Sequence, residues 1–167
     1  KPKIDFVVGE LGEKFKHKTW LDIGCGVGEA LYAAKKRGFE VRGIEPNEME
    51  AEYAEKKFGV KVYREFLNAK NRELIAGKCN VISLFSVLEH IIDPPALLHN
   101  ASAVQEKGDL LVIEVPKWPS LSCLSQIAFL NSIIPGPAVY FVYPFSIAIL
   151  PALMICEGVL KSGSPTE

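Results

Sequence analysis

The sequence predicts an α/β fold with a doubly wound, mostly parallel sheet and helices on both of its faces. Short apolar runs alternate with helix-length segments through the first two-thirds of the chain. The run NVISLFSV at 80–87 is apolar almost throughout, as expected for a strand buried on both faces of a parallel sheet. A turn with three glycines in five positions follows the first apolar run, where sheets of this class bind ligands.

The apolar runs predict five strands. Several runs end at a residue that interrupts a strand: Gly24 after the first, Pro46 after the second and Pro116 after the fifth. The predicted strands span 18–24, 39–46, 60–66, 80–87 and 109–116.

Helical spacing and capping residues predict helices between these strands. Asn47 is a favourable N-cap, Glu50 stands three positions later as in a capping box, and Gly59 ends the same helix. Prolines open the last helix, which suits the first helical turn. The predicted helices span 28–38, 47–59, 68–78 and 94–108, and residues 1–15 are typical of an amphipathic helix that is entered midway.

The bulk properties fit one globular domain. The chain has 167 residues, of which 49% are apolar and 23% are charged, and its net charge of -1 gives no indication of nucleic-acid binding. The four cysteines form no CxxC pair, so they predict neither a disulfide framework nor a zinc site and suit a cytoplasmic location. We treat 1–167 as a single domain and leave truncation at either end open.

The last third of the chain is strongly apolar. Residues 138–156 carry no charge and are long enough for a transmembrane helix, but Pro144 and Pro151 interrupt them and no basic flank follows. A loop followed by a core helix from about 144 to 157 is therefore preferred, and no membrane span is expected. A surface for a lipophilic substrate or a partner is the alternative. The C-terminal strands are expected to be short or missing, and such an edge favours a homodimer.

The stretch TWLDIGCGVGEAL, residues 19–31, poses the question of which ligand its glycine turn holds. Glycines allow positive φ angles and close approach of the backbone to a ligand. Glu45, which follows the second strand, can accept hydrogen bonds from ribose hydroxyls. A pyrophosphate, a nicotinamide dinucleotide and an S-adenosyl group all remain possible from the residues alone. The spacing Gly24-x-Gly26-x-Gly28 differs from the GxGxxG that is usual for nicotinamide cofactors.

Two motifs carry a resemblance to a known family. LDIGCGVGE together with Glu45 resembles the first motif of class I S-adenosylmethionine (SAM)-dependent methyltransferases. NVISLFSVLEHIIDPPALL resembles the fourth-strand region of small-molecule methyltransferases related to the ubiquinone-pathway O-methyltransferases, although Asn80 replaces the usual Asp. The resemblance implies a Rossmann-like sheet of strand order 3-2-1-4-5. It also implies SAM-dependent methyl transfer to a small molecule, at oxygen, with S-adenosylhomocysteine as product.

The same resemblance assigns site residues. The glycines hold the methionine part of the cofactor, Glu45 binds its ribose, and Asp22 orients the loop or reaches the cofactor's amino group. For Cys25, inside the turn, a packing role is preferred over a reactive thiol. The implied cofactor-binding residues are Asp22, Gly24, Cys25, Gly26, Gly28, Glu45, Pro46, Glu65, Phe66, Phe85 and Ser86.

His90 is the candidate catalytic base, because an imidazole titrates near neutral pH and this one follows the fourth strand. The alternative is that Glu89 and His90 only shape a loop. Some ubiquinone-type relatives hold a divalent metal with E-x-x-E-H, but Ser86 stands at the first of these positions, so no metal is predicted. Two other functions stay open: an NAD(P)-dependent oxidoreductase, and a SAM-binding or interaction module without catalysis.

Overall fold

The computed structural model describes residues 2–11, 18–75, 78–114, 138–142 and 147–148. Its strands are β1 (Thr19–Ile23), β2 (Glu40–Ile44), β3 (Lys61–Tyr63), β4 (Val81–Phe85), β5 (Leu110–Glu114), β6 (Ala138–Val142) and β7 (Ile147–Ala148). Its helices are α1 (Pro2–Leu11), α2 (Glu29–Lys35), α3 (Glu48–Phe58), α4 (Arg72–Ile75) and α5 (Pro94–Ser102), with a 3-10 turn at Leu88–His90. Each strand and helix that we predicted before residue 117 is present, and within the helix predicted at 68–78 the structure describes α4 at Arg72–Ile75.

These strands form one sheet in the order β3-β2-β1-β4-β5-β6-β7. The pairs from β3 to β6 are parallel, and β7 runs antiparallel to β6. The predicted order 3-2-1-4-5 is therefore confirmed. Because β1 lies between β2 and β4, the loops that follow these three strands meet at one edge of the sheet.

Apolar side chains alternate between the two faces of the sheet. Trp20 and Val81 face α1 and α2, whereas Leu21 and Ile82 face α4 and α5. A third cluster joins α2 and α3 to the β3 end of the sheet. The four consecutive buried residues of β4 bear out the prediction of a strand covered on both faces.

The C-terminal region corrects one prediction. Residues 147 and 148 form strand β7, although a core helix was expected from about 144 to 157. The segment AVYFV at 138–142, expected to be loop, forms β6 beside β5. Its β-branched and aromatic residues favour strand, and pairing satisfies backbone groups that β5 would otherwise leave at an open edge. Residues 149–157 lie outside the described residues, and the homodimer through this edge stays a prediction.

A polar network joins β1, β4 and β5 at the amino-terminal edge of the sheet. Oδ1 of Asn80 accepts the Thr19 N–H at 3.2 Å, and Nδ2 of Asn80 donates to Asp109 at 3.0 Å. The second oxygen of Asp109 accepts the Glu106 N–H at 2.7 Å. An amide side chain can accept and donate at once, which a carboxylate cannot do. This explains structurally why Asn fits where the resemblance led us to expect Asp.

We expect Asn80→Asp to lower the free energy of unfolding by about 1–2 kcal/mol, because it removes a donor and places two carboxylates in contact. Urea unfolding at pH 7 measures the change. Adding Asp109→Asn exchanges the two side-chain types, so an amide at 109 can again donate to a carboxylate at 80. The double variant should therefore recover most of the lost stability. Equal stability of Asn80→Asp and the wild type would show that the amide does not contribute in this way.

Candidate functional site

The glycine turn predicted from the sequence forms a loop between β1 and α2. Gly24, Gly26 and Gly28 have φ angles of 68°, 52° and 82°. The N–H groups of Gly24 and Cys25 both donate to the carbonyl of Ile44, at 2.8 and 3.0 Å. The loop is thereby fixed to the end of β2.

Gly24 and Gly26 differ in what surrounds them. A Cβ at Gly24 would lie 2.6 Å from Cγ2 of Val87, so this glycine lets the loop after β4 approach the loop after β1. A Cβ at Gly26 would meet only Oε2 of Glu50, at 3.6 Å. The middle of the loop therefore offers open space beside its backbone, as a bound ligand requires.

Glu45 connects the glycine loop to the start of α3. Its side chain is buried, with 9% of its surface exposed. Oε2 accepts the Gly26 N–H at 2.9 Å, and Oε1 accepts the Asn47 N–H at 2.9 Å. The predicted Asn47 cap is present, since its side chain accepts from the N–H groups of Met49 and Glu50. The capping-box prediction for Glu50 is wrong, because the Asn47 N–H donates to Glu45 and not to Glu50.

Asp22 lies beneath the loop, at the end of β1. It is 2% exposed, and its Oδ1 accepts a 2.5 Å hydrogen bond from the Ser83 hydroxyl. Burial raises the pKa of Asp22 from 3.8 to about 7, and the Ser83 bond and the charge of Lys3 oppose that rise. A carboxyl that changes charge near neutral pH thus lies directly behind the loop.

Cys25, for which a packing role was preferred, lies where the glycine turn meets β2. It is buried, and its Sγ lies 2.5 Å from where a Cβ on Gly43 would be, so Gly43 makes room for it. Burial raises the pKa of the Cys25 thiol, which disfavours a reactive thiolate. These contacts support packing of the turn against β2.

The loop after β4 begins with a strained residue. Ser86 has a φ of 58°, the only positive φ of a non-glycine among the residues that the structure describes. Its N–H donates to the carbonyl of Glu114 at 2.9 Å, which ties the loop to the end of β5. Phe85 is half-buried, with Nζ of Lys3 5.1 Å from its ring centre, and Lys3 also forms an ion pair with Glu114. Helix α1 therefore reaches the same edge of the sheet.

His90 ends the 3-10 turn that follows, and its side chain is exposed. Its N–H donates to the carbonyl of Val87, the residue that contacts Gly24. Three residues later, Asp93 caps α5 by accepting the Ala96 N–H. The imidazole is thus accessible on a turn of defined backbone beside the glycine loop.

The other predicted residues lie at the rim. Pro46 is exposed between Glu45 and Asn47, and Phe66 is exposed after β3. Glu65 accepts a 2.8 Å hydrogen bond from the Asn71 side chain. The structure therefore brings Asp22, the three glycines, Glu45 and Ser86 together: Glu45 bonds to Gly26, and Val87, the neighbour of Ser86, lies against Gly24. Glu65 and Phe66 belong to a separate turn, where both accept hydrogen bonds from the side chain of Asn71.

Sequence reasoning missed several residues of this edge. Ser83 supports Asp22, Val87 contacts Gly24, and Lys3 pairs with Glu114. Ser83 could have been noticed as a hydroxyl within an otherwise apolar run, because buried polar groups have partners. Lys3 gave no comparable signal, since it lies 111 residues from Glu114.

The described residues offer neither a cluster of metal ligands nor a helix that could span a membrane. Within that part of the chain, no three His, Cys, Asp or Glu side chains are grouped so that they could hold a metal ion. No helix in the described ranges has both the length and the apolar character needed to cross a membrane.

Comparison with known proteins gives the family. A family model described as a methyltransferase domain matches residues 3–137. The chain belongs to this methyltransferase domain family. The matched range contains the glycine loop, Glu45 and the loop after β4. The predicted family, inferred from the resemblance to class I SAM-dependent enzymes, is confirmed.

Curated relatives of this methyltransferase domain include the ubiquinone biosynthesis O-methyltransferase of Pseudomonas paraeruginosa (strain DSM 24068 / PA7). It is 32% identical over 95 residues, which cover 54% of this chain and 41% of the relative. The protein of the same name from Pseudomonas aeruginosa (strain LESB58) is 31% identical over 109 residues, covering 63% of this chain and 45% of the relative. The chain thus spans less than half the length of these two relatives.

A solved structure shows the same fold. The methyltransferase domain aligns with a SAM-bound amino pentose methyltransferase from Micromonospora echinaspora at a TM-score of 0.60 and 21% identity. The alignment covers 71% of this chain and 51% of that protein. At this identity the likeness concerns the fold.

Proposed function

We propose that this domain binds SAM and transfers its methyl group to a small-molecule acceptor, at oxygen. The observation that carries the proposal is the position of Glu45. A buried carboxylate holds both the middle of the glycine loop and the start of α3, at the carboxyl ends of β1 and β2. In a doubly wound sheet this is where a nucleoside ribose and the backbone of a glycine loop come together.

The residues present fit a SAM molecule. The space that a Cβ on Gly26 would occupy is open apart from Oε2 of Glu50 at 3.6 Å, which leaves room for a ligand beside the loop. Glu45 accepts one N–H on each oxygen, and each oxygen keeps a lone pair for a ribose hydroxyl. Asp22 supplies a buried carboxyl near the loop, which suits a cationic ligand. We place the cofactor on the loop, Glu45 and Asp22.

SAM supplies a methyl group that its sulfonium already activates. The work left to the protein is alignment of donor and acceptor and removal of the acceptor's proton. Ser86 and Phe85, at the end of β4, fit the boundary between cofactor and acceptor. His90, exposed four residues after Ser86, is the proposed base for a hydroxyl acceptor.

Calorimetric titration with S-adenosylhomocysteine, with NADH in parallel, tests the cofactor. We expect S-adenosylhomocysteine to bind and NADH not to bind. Binding of NADH alone would overturn the proposal in favour of an NAD(P)-dependent oxidoreductase. Mass spectrometry of catechol and 3,4-dihydroxybenzoate incubated with SAM then tests transfer to oxygen. Binding without any methylated product would favour a SAM-binding module.

His90→Ala should reduce the rate of methylation of a phenolic acceptor by about 100-fold, a common contribution of a general base. Its affinity for S-adenosylhomocysteine should change little, because His90 is assigned to the acceptor. Initial rates at saturating SAM measure the effect.

His99→Ala is the matched control, since His99 is also exposed and lies on α5. It should retain wild-type rates. A His90→Ala rate equal to that of the control would remove His90 as the base and leave it a role in loop structure.

The proposal extends to surroundings and partners. We propose a cytoplasmic location, which the buried, free thiol of Cys25 supports. The acceptor is proposed to be a small molecule rather than a nucleic acid, since the net charge of -1 provides no excess of cations.

A further inference from the structure

Behind the glycine loop, three buried side chains form a chain of hydrogen bonds. Nε1 of Trp20 donates to Oγ of Ser83 at 2.7 Å, and Ser83 donates to Oδ1 of Asp22 at 2.5 Å. Asp22 and Ser83 are direct partners across β1 and β4, and all three residues are at most 2% exposed. Of these three residues, the sequence analysis assigned only Asp22 to the cofactor site.

The direction of these bonds follows from the chemistry of the groups. An indole N–H can only donate, so it occupies an acceptor site on the Ser83 oxygen. The hydroxyl has one proton, and the 2.5 Å contact directs that proton to Asp22. Such a bond to the charged form of a carboxyl favours ionisation.

We propose that Ser83, oriented by Trp20, is a positioning residue that holds the ionised form of Asp22 for the cationic part of the cofactor. This inference rests on the proposed SAM function. Asp22 would face the ammonium group that SAM and S-adenosylhomocysteine share, and cofactor binding would be accompanied by loss of the Asp22 proton. In the protein without cofactor, burial keeps the pKa of Asp22 near 7, so a fraction of the molecules carries that proton at neutral pH.

The other charged and titratable groups near Asp22 come from each neighbouring element. Lys3 on α1 favours its ionised form and Glu45 after β2 disfavours it. Glu114 on β5 forms an ion pair with Lys3 and so reduces the influence of that cation. Cys25 is buried in the loop with a raised thiol pKa, and it stays neutral. Among the described groups that stabilise the Asp22 anion, Ser83 donates a hydrogen bond to it, whereas Lys3 acts through its charge.

The affinity of the wild type for S-adenosylhomocysteine should rise about tenfold from pH 6 to pH 8, as expected when a group of pKa near 7 must be ionised. Calorimetry in phosphate and in Tris should show different enthalpies near pH 7, because these buffers take up the released proton with different heats. Asp22→Asn should bind weakly with no such pH dependence.

Ser83→Ala is the decisive variant. Loss of the hydroxyl should raise the pKa of Asp22 by about one unit, which weakens binding about fivefold at pH 7 and less than about twofold at pH 8.5. A purely structural role for Ser83 would weaken binding by the same factor at every pH. Ser102→Ala removes another buried serine, which donates to the His99 carbonyl at 3.1 Å, and should keep the wild-type profile.

A measurement without cofactor supports the same point. The pKa of Asp22 is higher in the folded chain than the ordinary 3.8, so its burial costs stability as the pH rises from about 4 to about 7. The melting temperature of Asp22→Asn relative to the wild type should therefore increase between pH 5 and pH 8. A constant difference would show that Asp22 does not titrate in this range and would overturn the inference.

The outcomes separate the inference from the proposed function. Binding of S-adenosylhomocysteine with a flat pH profile, or an unshifted profile in Ser83→Ala, would overturn the role of Ser83 and leave the SAM proposal standing. Absence of binding at every pH would overturn both.

Discussion

Glu45→Ala is expected to weaken binding of S-adenosylhomocysteine by at least about 100-fold, since it removes two charge-assisted bonds in the protein and the proposed ribose acceptor. The carboxylate accepts the N–H groups of Gly26 and Asn47, each at 2.9 Å. Without it, the middle of the glycine loop and the start of α3 lose their common acceptor. Calorimetry measures the loss, and circular dichroism shows whether the variant remains folded.

Two further variants sharpen this test. Glu45→Gln keeps the shape but has one accepting oxygen, so we expect an affinity between those of the wild type and Glu45→Ala. Glu52→Ala removes an exposed carboxylate of α3 that pairs with Lys56, and it should bind like the wild type. Retention of affinity in Glu45→Ala would contradict the placement of the cofactor on this residue.

Gly28→Ala is expected to lower the free energy of unfolding by about 3 kcal/mol, from backbone strain and overpacking together. Gly28 has a φ of 82°, and an added Cβ would lie 2.7 Å from Cβ of Ala54 on α3. Relief of that contact requires α2 and α3 to separate, because Cβ of Ala54 is fixed to the helix backbone. Urea unfolding measures the cost.

Gly38→Ala is the matched control for the strain. Gly38 has a φ of 90° and nothing within 4 Å of an added Cβ, so it should lose only about 1 kcal/mol. Adding Ala54→Gly to Gly28→Ala should recover part of the difference, and a double-mutant cycle isolates the contact. Equal losses in Gly28→Ala and Gly38→Ala would show that α2 and α3 do not press on Gly28.

Local patterns were sufficient to predict most of the framework. Strand and helix signals depend on neighbouring residues, so the runs at 18–24 and 80–87 could be recognised without knowledge of their partners. Asn47 and Gly59 act within one helical turn, and both cap α3 as predicted. The strands β6 and β7 were harder to predict, because a strand at this position depends on pairing with a distant segment, β5.

The glycine loop and the acid after β2 were also visible in the sequence, because their spacing follows from the strand and helix lengths of a βαβ unit. What Glu45 does in the protein was not visible. Its bonds to Gly26 and Asn47 depend on how the end of β2 meets the loop after β1. The predicted hydrogen bond between Glu50 and the Asn47 N–H is absent for the same reason, because Glu45, which lies outside the helix, accepts that N–H.

The sequence by itself determined the order of strands and helices as far as β5, the family motifs and the chemical types at the site. Only the tertiary structure decided that Ser83 supports Asp22, 61 residues away, and that Val87 requires a glycine at position 24. The physical reason is that a hydrogen bond or a close contact is set by distance in space. Parallel pairing through intervening helices brings residues together that no local pattern in the chain relates.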